Sequence, residues 1–203
     1  MKILGLTGQS GAGKTLFSKM LQEKGYPSIN ADELYHSMLI PPSKVLDEIR
    51  CAFGEEFFLS DGSLDRRKLA KHVFSNKEKL TLLNETVLPI VTEKIMELAQ
   101  EYNDMGIELL VIDAPTLFES GYDKSCDITV SIIAPSKSRT QRISERDNIN
   151  LEDAILRTNA QKDDSFYYER SDYVIVNDAD IDTLRKKAER LICAIGICAR
   201  TNK

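Results

Sequence analysis

A doubly wound α/β fold around a parallel five-stranded sheet is the class this 203-residue sequence predicts. Three observations point there. Strand-like and helical runs alternate along the chain. Most strand-like runs are near-continuously apolar, as strands covered on both faces are. The first of them runs straight into a glycine-rich loop that opens a helix.

Five short β-type runs are expected at Lys2–Thr7, Pro27–Asn30, Glu108–Asp113, Asp127–Ile133 and Tyr173–Asn177. Helical patterns lie between them at Lys14–Lys24, Lys77 to about Tyr102 and Ile181 to about Ile195. Residues of about 34–103 and 136–171 exceed what minimal βαβ units need, so each is expected as an insertion over the ligand-binding edge of the sheet. No repeat, low-complexity tract or Pro/Gly/Ser linker divides the chain. Residues 1–203 therefore read as one domain, with a helical substrate insertion at about 34–103 and a lid at about 136–171.

Hydrophobic residues make up 42% and charged residues 29%, as in ordinary globular proteins. The formal net charge of -5 disfavours a polyanionic partner such as nucleic acid, so any phosphate binding has to be local. Cys51, Cys126, Cys193 and Cys198 show no zinc-type spacing and read as reduced thiols. The strand-like start leaves no room for a leader peptide, and no apolar run is long enough for a membrane span, so a cytoplasmic location is expected.

The strongest signal is Gly8-Gln9-Ser10-Gly11-Ala12-Gly13-Lys14-Thr15, a full match to G-x-x-x-x-G-K-S/T in strand-loop-helix context. It predicts the P-loop NTPase fold. Glycines at 8, 11 and 13 let successive backbone N–H groups converge on phosphate oxygens, and the helix N-terminus adds partial positive charge. Lys14 is then placed to reach the β- and γ-phosphates of ATP, and the Thr15 hydroxyl to ligate Mg²⁺.

Two carboxylates fall at strand ends. Asp32 lies just past the second strand, where it is either a general base for an attacking hydroxyl or the N-cap of a helix beginning at Glu33. Asp113 ends the third strand in the manner of a Walker B carboxylate, or else holds the adjacent loop. In the late insertion, Arg139, Arg142 and Arg146 recur at i, i+3 and i+7, and Arg157 follows. They are either a cationic lid for phosphate or a solvated helix face paired with nearby acids.

Together these residues resemble the dephospho-CoA kinase family. The family's opening strand and loop appear here as Gly5 to Thr15, and its D-A-D after the second strand as Asn30-Ala31-Asp32. Asp61 to Phe74, Asp113 to Gly121, Arg142 to Asn148, Arg157 to Gln161 and the strand ending at Asn177 are also similar, in the expected order over roughly residues 1–180. Departures are Asn30 for an acid, Leu88 where the family reads histidine, Thr116 for leucine, and a missing glycine after Asn177. The resemblance implies an ATP-dependent phosphotransferase acting on the ribose 3′-hydroxyl of dephospho-CoA, the last step of coenzyme A synthesis. It implies Asp32 as base, with Lys14 and Arg142 completing the catalytic set. Gly8, Ser10, Gly11, Ala12, Gly13, Lys14, Thr15, Arg142, Arg146 and Asn177 would hold MgATP. Asp32, Arg66, Asp113, Leu117 and Phe118 would meet the acceptor. A GTP-dependent switch is disfavoured, because the nearest string to N-K-x-D, Asn159 to Asp163, does not fit.

Overall fold

The computed structural model describes residues 1–197; Cys198 lies outside them. Five strands, β1 (Lys2–Gly8), β2 (Ser28–Asn30), β3 (Leu109–Asp113), β4 (Ile128–Ile133) and β5 (Tyr173–Val176), form one sheet in the order β2-β3-β1-β4-β5. The β1–β3, β1–β4 and β4–β5 pairs are all parallel. The chain leaves β1 first toward β2 and β3 and later toward β4 and β5. The switch in direction puts a crevice at the carboxyl end of β1, where open α/β sheets bind ligands.

Nine α-helices connect the strands among the described residues: α1 (Lys14–Glu23), α2 (Ala31–Ser37), α3 (Lys44–Phe53), α4 (Arg66–Phe74), α5 (Lys77–Asp104), α6 (Ser136–Asp147), α7 (Leu151–Asn159), α8 (Asp164–Tyr168) and α9 (Ile181–Ala194). Two compact units result, one of residues 1–29 with 102 onward and one of residues 30–101.

In the first unit the strands are buried on both faces, which explains their continuous apolar character: Leu4, Leu6, Val111, Val130 and Ile132 are fully enclosed. Phe17, Met20 and Leu21 of α1 and Leu184, Ala188, Leu191 and Ile192 of α9 join the same core. Each buried Leu, Ile, Val, Phe or Met contributes roughly 1.5–3 kcal/mol of burial energy, so the base of the phosphate loop is held by a well-buried core. β2, β3 and β4 each begin one residue later than expected. Asp127 is one reason: its Oδ2 accepts from Ile3 N at 2.7 Å, so its side chain bonds the start of β1 ahead of β4. The segment expected as a lid comprises α6, α7 and α8 and belongs to the same unit as the sheet.

The second unit is helical. Val45, Leu46 and Ile49 of α3 pack one face inward, as do Leu69 and Val73 of α4 and Val87, Ile90, Val91 and Ile95 of α5. Asn30 caps α2, its Oδ1 accepting from Asp32 N and Glu33 N at 3.1 Å each, while its amide donates to Glu33 Oε1 at 3.1 Å. The alternative of Asp32 as N-cap is therefore corrected: the helix starts two residues earlier, and the asparagine is the capping residue.

Candidate active site

The loop between β1 and α1 is the origin of the site. Gly13 occupies the N-cap position of α1 in the left-handed region, with φ 99°, and no side chain caps the helix. The first turn carries no acidic residue, so its unpaired N–H groups and the positive end of the dipole are left for an external anion. Opposite the loop stands Asn177, the first residue beyond β5. Its backbone N still bonds Ile133 O at 2.7 Å, continuing the ladder, and its side-chain Nδ2 donates to Ala12 O at 2.8 Å. That amide, expected among the groups that hold MgATP, is engaged by the loop itself. A Cβ added to Gly13 would come within 2.5 Å of it.

Gly8, Ser10, Gly11, Gly13, Lys14 and Thr15 line a single cavity of about 880 Å³, and so do Arg142, Arg146 and Asn177. Ala12 differs: it is fully buried in the core, does not line the cavity, and its N–H donates to Gln9 O at 3.1 Å within the loop. Lys14 forms an ion pair with Asp113 at the end of β3, both side chains mostly shielded from water. β3 lies beside β1 with Asp113 in register with Leu6, so the aspartate sits across from the loop base. In this structure Asp113 therefore serves as the counter-ion of the loop lysine.

The three arginines of α6 divide. Arg139 is only 6% exposed and turns back to the sheet, Nε donating to Ala134 O at 3.0 Å. Burial lowers its pKa, against the opposing charge of nearby Asp164. Arg142 reaches the loop and donates to Gly11 O at 3.1 Å. Arg146, exposed, approaches Ser10 Oγ at 3.4 Å and is held by both oxygens of Asp147, at 2.7 and 3.1 Å. Arg157 shares that carboxylate at 2.6 Å. The Arg146 hydrogen bond, with the charges of both arginines, holds the Asp147 carboxyl below its ordinary range. The i, i+3, i+7 spacing thus yields one buried strut and two cavity arginines rather than a uniform face.

Leu117 and Phe118 also part. Leu117, expected at the acceptor, has no exposed surface and packs on Gly5 of β1, where a Cβ would meet it at 2.9 Å; it is a core residue. Phe118 is half-buried, edge-on to the Phe166 ring at 5.9 Å. Two expected residues belong to the other unit. Asp32 lies in the first turn of α2 with its side chain exposed, and Arg66 at the start of α4 hydrogen-bonds the His36 ring. Burial raises the pKa of neighbouring Tyr35, with the Arg66 charge opposing.

Other residues at the site were not singled out from sequence. Leu16, Ala179, Ile181 and Leu184 give the cavity an apolar wall beside the charged loop. Their signal was positional: Leu16 is in the first turn of α1, and the others lie at or just before the start of α9, after the β5 end, where crevice-lining residues fall in this architecture. Gln9, the second residue of the loop, is buried and donates to Asp164 Oδ1 at 2.8 Å.

A cavity that couples an uncapped helix start, a lysine and two arginines to an apolar wall suits a nucleoside triphosphate. Comparison with known proteins is in keeping with this. The chain is 35% identical to a dephospho-CoA kinase of Listeria monocytogenes over 191 residues, covering 94% of this chain and 96% of that one. Among solved structures it is similar to a Thermus thermophilus protein, with TM-score 0.81, 28% identity and coverage of 97% and 98%. It is also similar to a dephospho-CoA kinase from Campylobacter jejuni, with TM-score 0.68, 27% identity and coverage of 95% and 96%. The family model described as dephospho-CoA kinase matches residues 2–183, nearly the whole described chain, and on that match the chain belongs to the dephospho-CoA kinase family.

Proposed function

We propose that this chain transfers the γ-phosphate of ATP to the ribose 3′-hydroxyl of 3′-dephospho-CoA, giving CoA and ADP, the last step of coenzyme A synthesis. Family membership supports the reaction. The observation that carries it is the convergence of the uncapped α1 terminus, Lys14, Arg142 and Arg146 on one cavity.

In this reading the loop from Gly8 to Thr15 holds the triphosphate through backbone N–H groups, with Ser10 and Gly11 facing the cavity and Ala12 anchoring the loop in the core. Lys14 exchanges part of its contact with Asp113 for phosphate oxygens. Arg142 and Arg146 neutralise the charge that develops as the phosphoryl group moves, and Arg146 leaves Asp147 to do so. Asn177 keeps the loop in shape beside the bound nucleotide.

Magnesium fits the residues present. Thr15 is exposed on the cavity at the start of α1, and a loop-bound Mg²⁺ needs one protein hydroxyl, phosphate oxygens and water rather than a cluster of carboxylates. Thr15 would hold the ion, which would supply charge neutralisation on the triphosphate.

Asp32 is the proposed proton acceptor for the 3′-hydroxyl. It follows β2 by two residues, and capping of α2 is carried by Asn30, so its carboxylate is not committed to the helix N-terminus. Arg66, Asp113 and Phe118 are proposed on the acceptor side. Residues of about 34–103 and 136–171 are proposed as substrate insertion and lid of one kinase domain. The acceptor and ATP are small molecules, and the net charge of -5 sets nucleic acid aside as a partner. The described free thiols, Cys51, Cys126 and Cys193, suit a reducing cytoplasm.

Incubation with MgATP and dephospho-CoA, followed by mass spectrometry, tests the proposal. One added phosphate on the ribose 3′-oxygen is expected; ADP release without a phosphorylated acceptor overturns it.

A further inference from the structure

We propose that Gln161 is a positioning residue for the phosphate loop, acting through a hydrogen-bonded strut that runs from the end of β4 through Arg139 to Ser10. The inference rests on the loop being the ATP site and deepens that reading.

Gln161 lies just beyond α7, remote in sequence from the loop. Its Oε1 accepts from Ser10 N at 2.7 Å and from Arg139 Nη1 at 3.2 Å, while its Nε2 donates to Arg157 O at 3.2 Å. The amide orientation follows from chemistry: a backbone N–H and a guanidinium both need an acceptor, and the Arg157 carbonyl needs a donor. The other end of the strut is immobile. Arg139 is buried, and its Nε is fixed on Ala134 O at 3.0 Å, one residue past β4.

Gln9 makes a parallel link. Its Oε1 accepts from Ala134 N at 3.4 Å and its Nε2 donates to Asp164 Oδ1 at 2.8 Å. Two consecutive loop residues are therefore tied to the connection between α7 and α8 and, through Ala134, to the sheet. These are the open positions of the glycine-lysine motif, so the motif itself records nothing of the support. The strut fixes the direction in which the loop leaves β1, and hence where the following N–H groups converge. Preorganised donors of this kind bind charge without reorganisation.

A cavity of about 500 Å³, lined by Gln9, Arg139, Gln161 and Asp164 among others, borders the strut. Water entering there would replace part of a lost contact, which keeps the expected effect moderate.

The test compares wild type with Gln161→Met, Gln161→Asn and Gln161→Glu, reading Tm, both KM values, and calorimetric affinity for a non-hydrolysable ATP analogue. Met removes the acceptor, Asn is one methylene too short, and Glu retains an acceptor beside Arg139. Met and Asn are expected to weaken the analogue and raise KM for ATP by about tenfold. KM for dephospho-CoA should stay within about twofold and Tm within a few degrees, with Glu recovering most of the affinity. Unchanged analogue affinity in both Met and Asn overturns the strut, as does a parallel rise in both KM values or a Glu variant as weak as Met. Should wild type fail to phosphorylate dephospho-CoA, the analogue affinities still decide the strut, so the two failures are distinguishable.

Discussion

Replacing Gly13 by alanine separates two costs that a glycine in this loop combines. The residue has φ 99°, and its added Cβ would stand 2.5 Å from Asn177 Nδ2. Gly25, at the turn after α1, has a similar φ of 88° but nothing within 4 Å. For both, left-handed backbone costs a side-chain-bearing residue about 1–2 kcal/mol, partly offset by about 0.4–1 kcal/mol from the stiffened unfolded chain. Gly25→Ala should therefore lose about 1 kcal/mol. At Gly13 the asparagine must also move, and it is only 6% exposed and bonded to Ala12 O at 2.8 Å. Breaking that buried bond adds about 1–3 kcal/mol, for a total of roughly 2–4 kcal/mol. In a chain of this size that is a Tm loss of roughly 5–15 °C, against about 2–4 °C for Gly25→Ala. Urea unfolding of both single variants, and of Gly13→Ala combined with Asn177→Ala, gives the coupling directly. In the Asn177→Ala background the Gly13→Ala cost should fall to the Gly25 level. A Gly13→Ala cost no larger than that of Gly25→Ala, or one indifferent to Asn177, refutes the reasoning.

Lys14→Ala and Asp32→Asn should each lower kcat by about 10²-fold or more, read in a coupled ADP assay, and the exposed Asp32→Asn should leave the thermal transition within a few degrees of wild type. A near-normal kcat for Asp32→Asn removes it as the base. Asn30→Ala should cost about 1 kcal/mol through loss of the α2 cap, whereas Asn30→Asp, which keeps an acceptor, should be close to neutral by chemical denaturation. Alkaline pH should destabilise the fold. Burial, with Asp123 and Asp127 adding to it, pushes the Cys126 thiol from 9.0 up to about 12, and burial with Glu119 pushes the Tyr167 phenol from 10.0 up to about 12. Between those limits the folded state binds more protons than the unfolded one. Stability present below pH 9 should therefore fall as pH rises from about 9 toward 12, by up to about 1.4 kcal/mol per pH unit for each group. A flat denaturation midpoint across that window contradicts the assignment.

Much of the site was legible because its residues are contiguous. An eight-residue motif joining a strand to a helix carries its own geometry, and its closing lysine and threonine cannot lie elsewhere. Arg142 and Arg146 were legible as helix-face positions, but their difference from Arg139 was not. One turn of helix rotation decides whether a guanidinium meets the cavity or the end of β4, and spacing alone leaves that rotation open. Asp32 was ambiguous for a similar reason: it reads either as a base or as a cap, and only the helix start, one residue past β2, gave the capping role to Asn30. Leu117 matched a motif expected near the acceptor, yet the absence of a side chain at Gly5 opened a space on the sheet that it fills.

The amino-acid order by itself determined the alternation of strands and helices, the phosphate loop and the family, because each depends on short-range periodicity or on residues adjacent in the chain. The tertiary structure decided which partners meet across long separations: Lys14 with Asp113, Asn177 with Ala12, and Gln161 with Ser10. Those pairings depend on strand order, and strand order is settled by how apolar faces bury together rather than by any local pattern.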